Sequence, residues 1–117
     1  MTFEQYVSPV RACGGVVITA IADRDGIPVE SWGAKRREVE DVVAEFSTFL
    51  RELVSANREL QLGALEQVAL HGSESSVLVT AINDNYFLLT VVRRDGEAGK
   101  ARFASRCAAF QLRRELS

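Results

Sequence analysis

Residues that carry chemistry in small proteins are scarce in this chain. Among 117 residues there are one histidine, two cysteines and no CxxC pair. Cys13 and Cys107 stand at opposite ends of the sequence, which argues against a disulfide framework and against a zinc site, and both are expected to be small buried hydrophobes. Strong net charge is also missing. Fourteen basic residues face sixteen acidic ones, for a net charge of −2, so no global positive field draws the protein to nucleic acid or to an anionic membrane. The longest strongly apolar run, GVVITAIA at residues 15–22, is too short to span a bilayer. The first residues, MTFEQYVSPV, lack the basic and apolar regions of a secretory signal. A cytoplasmic location without membrane insertion is therefore expected. No proline-rich, glutamine-rich or acidic tract signals disorder.

What is present is the material of a folded unit. Hydrophobic residues make up 47% of the chain and charged residues 26%, and the length suits one domain over residues 1–117. GVVITAIAD (15–23) is rich in β-branched residues, DRDG (23–26) is a turn, and IPVESW (27–32) resumes an extended pattern. This predicts a hairpin in which Gly26 takes positive φ and Pro28 consigns the second strand to a sheet edge. From Ala34 to Asn57 the period changes to that of a helix, with Val39, Val42, Val43, Phe46, Phe49, Leu50 and Leu53 on one face. A short strand near Glu66 to Leu70 and two longer ones, SSVLVTAIND (75–84) and NYFLLTVVR (85–93), form a meander. AGKARFASRCAAFQLRREL (98–116) reads as a last helix whose buried face holds Ala101, Ala104, Cys107, Ala108 and Gln111 or Leu112. The sum is an α+β fold of order (α)ββαβββα, a five-stranded antiparallel sheet with the long helix on one face and the last helix on the other. VVITAI and FLLTVV lack clean alternation, as central strands do.

GEAGKA (96–101) is the one stretch that looks like a nucleotide loop. A Walker A loop needs GxxxxGK followed by Ser or Thr, but here two residues separate the glycines and Ala101 stands where the hydroxyl belongs. The segment is expected to be a turn at Asp95-Gly96 followed by a helix start at which Gly99 permits close approach. Other sets are incomplete. His71 has no second histidine, Ser73, Ser75 and Ser76 lack a GxSxG elbow, and Asp23 and Asp25 lack the further oxygens of a calcium loop. No catalytic residue, metal site or cofactor is predicted; an enzyme would rest on His71 with Asp84 or Asp95. Half of the basic residues fall in the last quarter, where Arg102 and Arg106 share a helix face that could meet an acidic partner surface. With no exposed aromatics foreseen between them, nucleic acid is not expected.

The order of elements, with GVVITAIADRDGIPV (15–29), LGALEQVAL (62–70), NDNYFLLTVV (83–92) and DGEAGKARFASRCAAF (95–110), resembles the Roadblock family, which includes dynein light chains and bacterial regulators of Ras-like GTPases. The likeness spans residues 13–116, and its specificity lies in order and spacing. One departure concerns the start: family members begin with a full amphipathic helix, whereas here a short segment, residues 1–12, precedes the first strand and contains Pro9. The resemblance implies a profilin-like sandwich and a homodimer, or a mixed dimer with another Roadblock-like chain, in which the 66–70 strand pairs with its copy to give one continuous sheet. Phe46, Phe49, Leu50, Leu53, Glu66, Val68 and Leu70 are the expected interface. It also implies a non-catalytic module that regulates or scaffolds a Ras-like small GTPase. A small-molecule sensor, which would need a preformed pocket, is the alternative.

Overall fold

The computed structural model describes residues Met1–Ser117. Its elements run α1 (Phe3–Arg11), β1 (Val16–Asp23), β2 (Pro28–Trp32), α2 (Arg36–Glu59), β3 (Gln67–His71), β4 (Ser75–Ala81), β5 (Tyr86–Arg93) and α3 (Ala98–Glu115). All five strands form one antiparallel sheet in the order β2-β1-β5-β4-β3. The strands read as central, β1 and β5, are interior, while β2 and β3 are the two margins. Pro28 begins β2, where its missing N–H interrupts no inner ladder. Gly26 has φ +92° in the hairpin turn, as the DRDG pattern requires.

Alternation along each strand sends one set of side chains to each layer. Ile18, Ala20, Ala22, Val79, Phe87 and Leu89 meet Val39, Val43 and Leu50 of α2. On the opposite face Ile21, Ile82 and Leu88 meet Val7 and Val10 of α1 and Ala108, Ala109 and Leu112 of α3. The second layer is thus shared by two helices, with α1 beside α3 and over β1.

The reading of Pro9 as an interruption is corrected: residues 3–11 are helical straight through it. Proline removes one i→i−4 bond, yet this helix is held at both ends of its short length. Thr2 and Gln5 form a capping box, with Thr2 N–H donating to Gln5 Oε1 at 2.8 Å and Gln5 N–H to Thr2 Oγ1 at 3.3 Å. Val7 and Val10 are fully buried, so the segment folds because its apolar stripe docks.

The face assigned to α3 is also corrected. Ala101, Ser105, Ala108, Ala109 and Leu112 are buried, whereas Ala104 is half-buried and Cys107 and Gln111 are exposed. Alanines stand on both candidate stripes, so periodicity alone distinguishes them weakly. Cys107, expected inside, lies on the surface, and Cys13 is half-buried.

Candidate functional site

The glycine and lysine stretch is structural. Gly96 N–H donates to Arg93 O at 2.9 Å and Glu97 N–H to Gly14 O at 2.7 Å, so these amides are already spent. Lys100 Nζ lies 2.9 Å from Glu97 Oε2, and Glu97 Oε1 accepts from Gly14 N–H at 2.8 Å. The Gly14 amide first, then the Lys100 ammonium, hold the Glu97 carboxyl below its ordinary range, and Glu97 in turn raises Lys100. Close approach belongs to Gly96 rather than Gly99: a Cβ at Gly96 would sit 2.5 Å from Gly14 O, while one at Gly99 would meet nothing. This stretch ties the α1–β1 link to the β5–α3 turn.

His71 ends β3, and its Nδ1 lies 2.7 Å from Ser76 Oγ on the neighbouring strand. Asp84 sits in the β4–β5 turn, at the far end of β4 from His71, and Asp95 lies 3.8 Å from Arg93 in an exposed ion pair. No group of three or more His, Cys, Asp or Glu side chains could hold a metal ion. No helix is long and apolar enough to cross a membrane.

The β3 margin is where unfinished chemistry collects. Glu66 O accepts from Ala81 N–H at 2.8 Å and Gly72 N–H donates to Ser75 O at 2.9 Å. In this register Glu66, Val68, Leu70 and Gly72 therefore bond to β4, and the N–H and C=O groups of Gln67, Ala69 and His71 point outward. Such a row of unpaired groups is a template for another strand. Val68 and Leu70 share the α2 face with their cross-strand neighbours Val79 and Val77. Val68 is half-buried and Leu70 is 47% exposed.

α2 lies over β1 and β2 and leaves this half of the sheet less covered. Ser47 and Ala44 abut Gly26, and Arg51 donates to Arg24 O at 2.9 Å, fixing one flank on the β1–β2 turn. Phe46, Phe49 and Leu53 occupy the other flank, away from the β1–β2 turn. Phe46 and Phe49 pack edge to face with ring centres 6.2 Å apart, and Phe49 is 39% exposed. Leu50 differs from its neighbours: it is 3% exposed and belongs to the core, on the inner face of the same helix. Glu66 is exposed and ion-paired to Arg106 at 3.1 Å.

Arg102 and Arg106 are both exposed on α3 and both lie beside β3. Gln67 Nε2 donates to Arg102 O at 3.0 Å, and Arg102 itself makes no ion pair. Sequence reasoning missed the aromatics beside these cations: Phe103 and Phe110 are exposed. Their signal was the helical wheel, since placing Leu112 and Ser105 inside forces both rings out.

A cleft of about 690 Å³ opens between the C-terminal turns of α2, the approach to β3 and the β4–β5 turn. Arg24 crosses it, with Nη2 donating to Asn83 O at 2.5 Å and Nε buried without an acceptor. Burial lowers the Arg24 pKa from its ordinary value.

A single sheet of this order, with one helix on one side, two on the other and a bare margin strand, defines a class of small three-layer α+β modules. The sequence profile of the Roadblock/LC7 domain matches residues 2–93, and the chain belongs to that family. Solved structures agree on the fold. A Roadblock/LC7 domain from Streptomyces avermitilis superposes with a TM-score of 0.85 at 15% identity, over 93% of this chain and 92% of that one. MglC from Myxococcus xanthus matches at 24% identity and a TM-score of 0.68, covering 99% and 100%. The gliding protein MglB from Thermus thermophilus matches at 15% identity and a TM-score of 0.80, covering 96% and 83%. None of the curated proteins matches the chain.

Proposed function

We propose that this chain is a non-catalytic homodimeric interaction module that binds a Ras-like small GTPase and regulates or scaffolds it. The observation that carries the reading is the β3 margin, with three residues' backbone groups unpaired and Leu70 47% exposed, in a chain of the Roadblock/LC7 family. Two copies related by a twofold axis would pair β3 with β3 and seat Phe46, Phe49 and Leu53 of one copy against Val68 and Leu70 or the facing helix of the other. Leu50 serves the core that holds α2 in place, so it supports this surface from beneath. Another Roadblock-like chain offering the same margin would serve equally. No residue is nominated as a catalytic group; any effect on GTP hydrolysis would come from reshaping the partner's own site. The test is twofold. Light scattering at tens of micromolar should return twice the chain mass, and an immobilised chain should retain a Ras-like GTPase from the source cell. A monomer that retains no GTPase would refute the reading.

A small-molecule sensor is the second reading, favoured by the 690 Å³ cleft and the unsatisfied Arg24 Nε. Its walls are about as polar as they are apolar, unlike the mostly apolar lining of ligand pockets. A thermal-shift screen with nucleotides and metabolites separates the two, because a stoichiometric small ligand would favour the sensor.

A further inference from the structure

We infer that the outward ridge of α3 is a docking groove for an acidic amphipathic helix of a partner protein. This deepens the reading of Arg102 and Arg106 as a partner-facing surface and rests on it. Phe103 is 72% exposed and Phe110 is 63% exposed, with exposed Cys107 between them. Positions i, i+4 and i+7 share one helix face, so the two rings stand roughly 10 Å apart along it, one heptad of a facing helix. Beside them a groove of about 620 Å³ separates α3 from the approach to β3. Two large aromatics left in water on one ridge mark an interaction surface rather than a scattered exposure.

Charge selects the occupant. α3 carries Lys100, Arg102, Arg106, Arg113 and Arg114 against Glu115 alone, in a chain of net charge −2. Lys100 is engaged by Glu97 and Arg106 by Glu66, whereas Arg102 and Arg114 make no ion pair. Arg113 gives Nε to Ile82 O at 2.8 Å and holds its guanidinium 5.7 Å from the Phe110 ring, aligned with the groove wall. The positive field is therefore local to this ridge. An extended anionic surface, whether bilayer or polynucleotide, would reach past the ridge to the acidic remainder, while a helix about 10 Å wide covers the ridge alone. A helix with apolar residues facing Phe103 and Phe110 and carboxylates on its flanks fits both features.

The experiment uses the full chain and a fluorescein-labelled, monomeric, alanine-rich probe of about 20 residues with leucines on one face and glutamates on both flanks. Anisotropy should report binding that weakens about tenfold or more in Phe103→Ala/Phe110→Ala and in Arg102→Glu/Arg106→Glu. Raising salt from about 50 to about 300 mM should weaken wild-type binding, and a lysine-flanked probe should bind at least about tenfold less well. These last two measurements need no variant, so misfolding cannot mask the answer. Equal binding of the two probes, no binding, or preference for phosphatidylserine vesicles or oligodeoxythymidine would each overturn the proposal. Retention of a GTPase without probe binding sinks this inference and spares the function proposed above; probe binding by a monomer that retains no GTPase does the reverse.

Discussion

Beneath α3 the hydroxyls of Thr90 and Ser105 lie 3.3 Å apart, both residues fully buried. Each satisfies the other in a place water does not reach, so their energies are not separable. Thr90→Val or Ser105→Ala alone strands the remaining hydroxyl and should cost about 1–3 kcal/mol, while the double change should cost clearly less than the sum. Urea denaturation of the four proteins measures this; strict additivity would refute the pairing. Glu97 makes a prediction of a different kind. Its pKa is depressed by the Gly14 amide and then by Lys100, so its contribution is present above the ordinary carboxylate range and is lost as pH falls through the lowered value. Glu97→Gln should therefore be less stable than wild type at neutral pH and should show a shallower loss of stability on acidification. Because the side chain is exposed, the difference will be small and salt-sensitive. Thermal melts between neutral and acidic pH check the direction.

Elements were legible in the sequence where side-chain period and burial agree. β1 and β5 declare themselves by apolar runs broken only by a central threonine, and α2 by a stripe with its charged residues on other faces. The alanine-rich α3 offered two stripes of similar quality, and only packing against Leu88 and Val10 selects the one that exposes Cys107, Phe103 and Phe110. Gly96 and Gly99 are likewise indistinguishable as letters, because the backbone that crowds Gly96 comes from Gly14 and Gly15, far away in sequence. The β3 margin was foreseen as an edge, but which backbone groups face outward depends on register with β4, which no local pattern fixes. That register yields a test on β3 itself. Leu70→Glu places a carboxylate on the α2 face at a residue already 47% exposed, so the lone chain should lose at most about 1 kcal/mol while self-association weakens by about tenfold or more. Light scattering across a dilution series with far-UV circular dichroism separates the two effects. Ala44→Asp, at an exposed position on the opposite flank of α2, is the control and should leave association unchanged.

At the scale of the whole molecule the question is whether folding and association are one equilibrium. The two-layer core is complete within one chain, since Phe87, Leu88 and Leu89 of the central strand are fully buried without a partner. The margin, by contrast, leaves backbone donors and acceptors to water and Leu70 and Phe49 partly uncovered. A core of this kind needs no partner to close, so the proposed dimer would add stability to an already folded chain and should make the melting temperature depend on concentration. A tenfold rise in chain concentration adds about 1.4 kcal/mol per mole of dimer, which for a unit of this combined size raises Tm by roughly 3 °C. Leu70→Glu should melt below the wild type wherever the wild type is dimeric, and its Tm should begin to rise only at about tenfold or more higher concentration. Differential scanning calorimetry over two decades of concentration makes the comparison. A wild-type Tm that does not move, together with a mass of one chain by light scattering, would mean that the margin is not completed by a second copy and would favour the small-molecule reading of the Arg24 cleft.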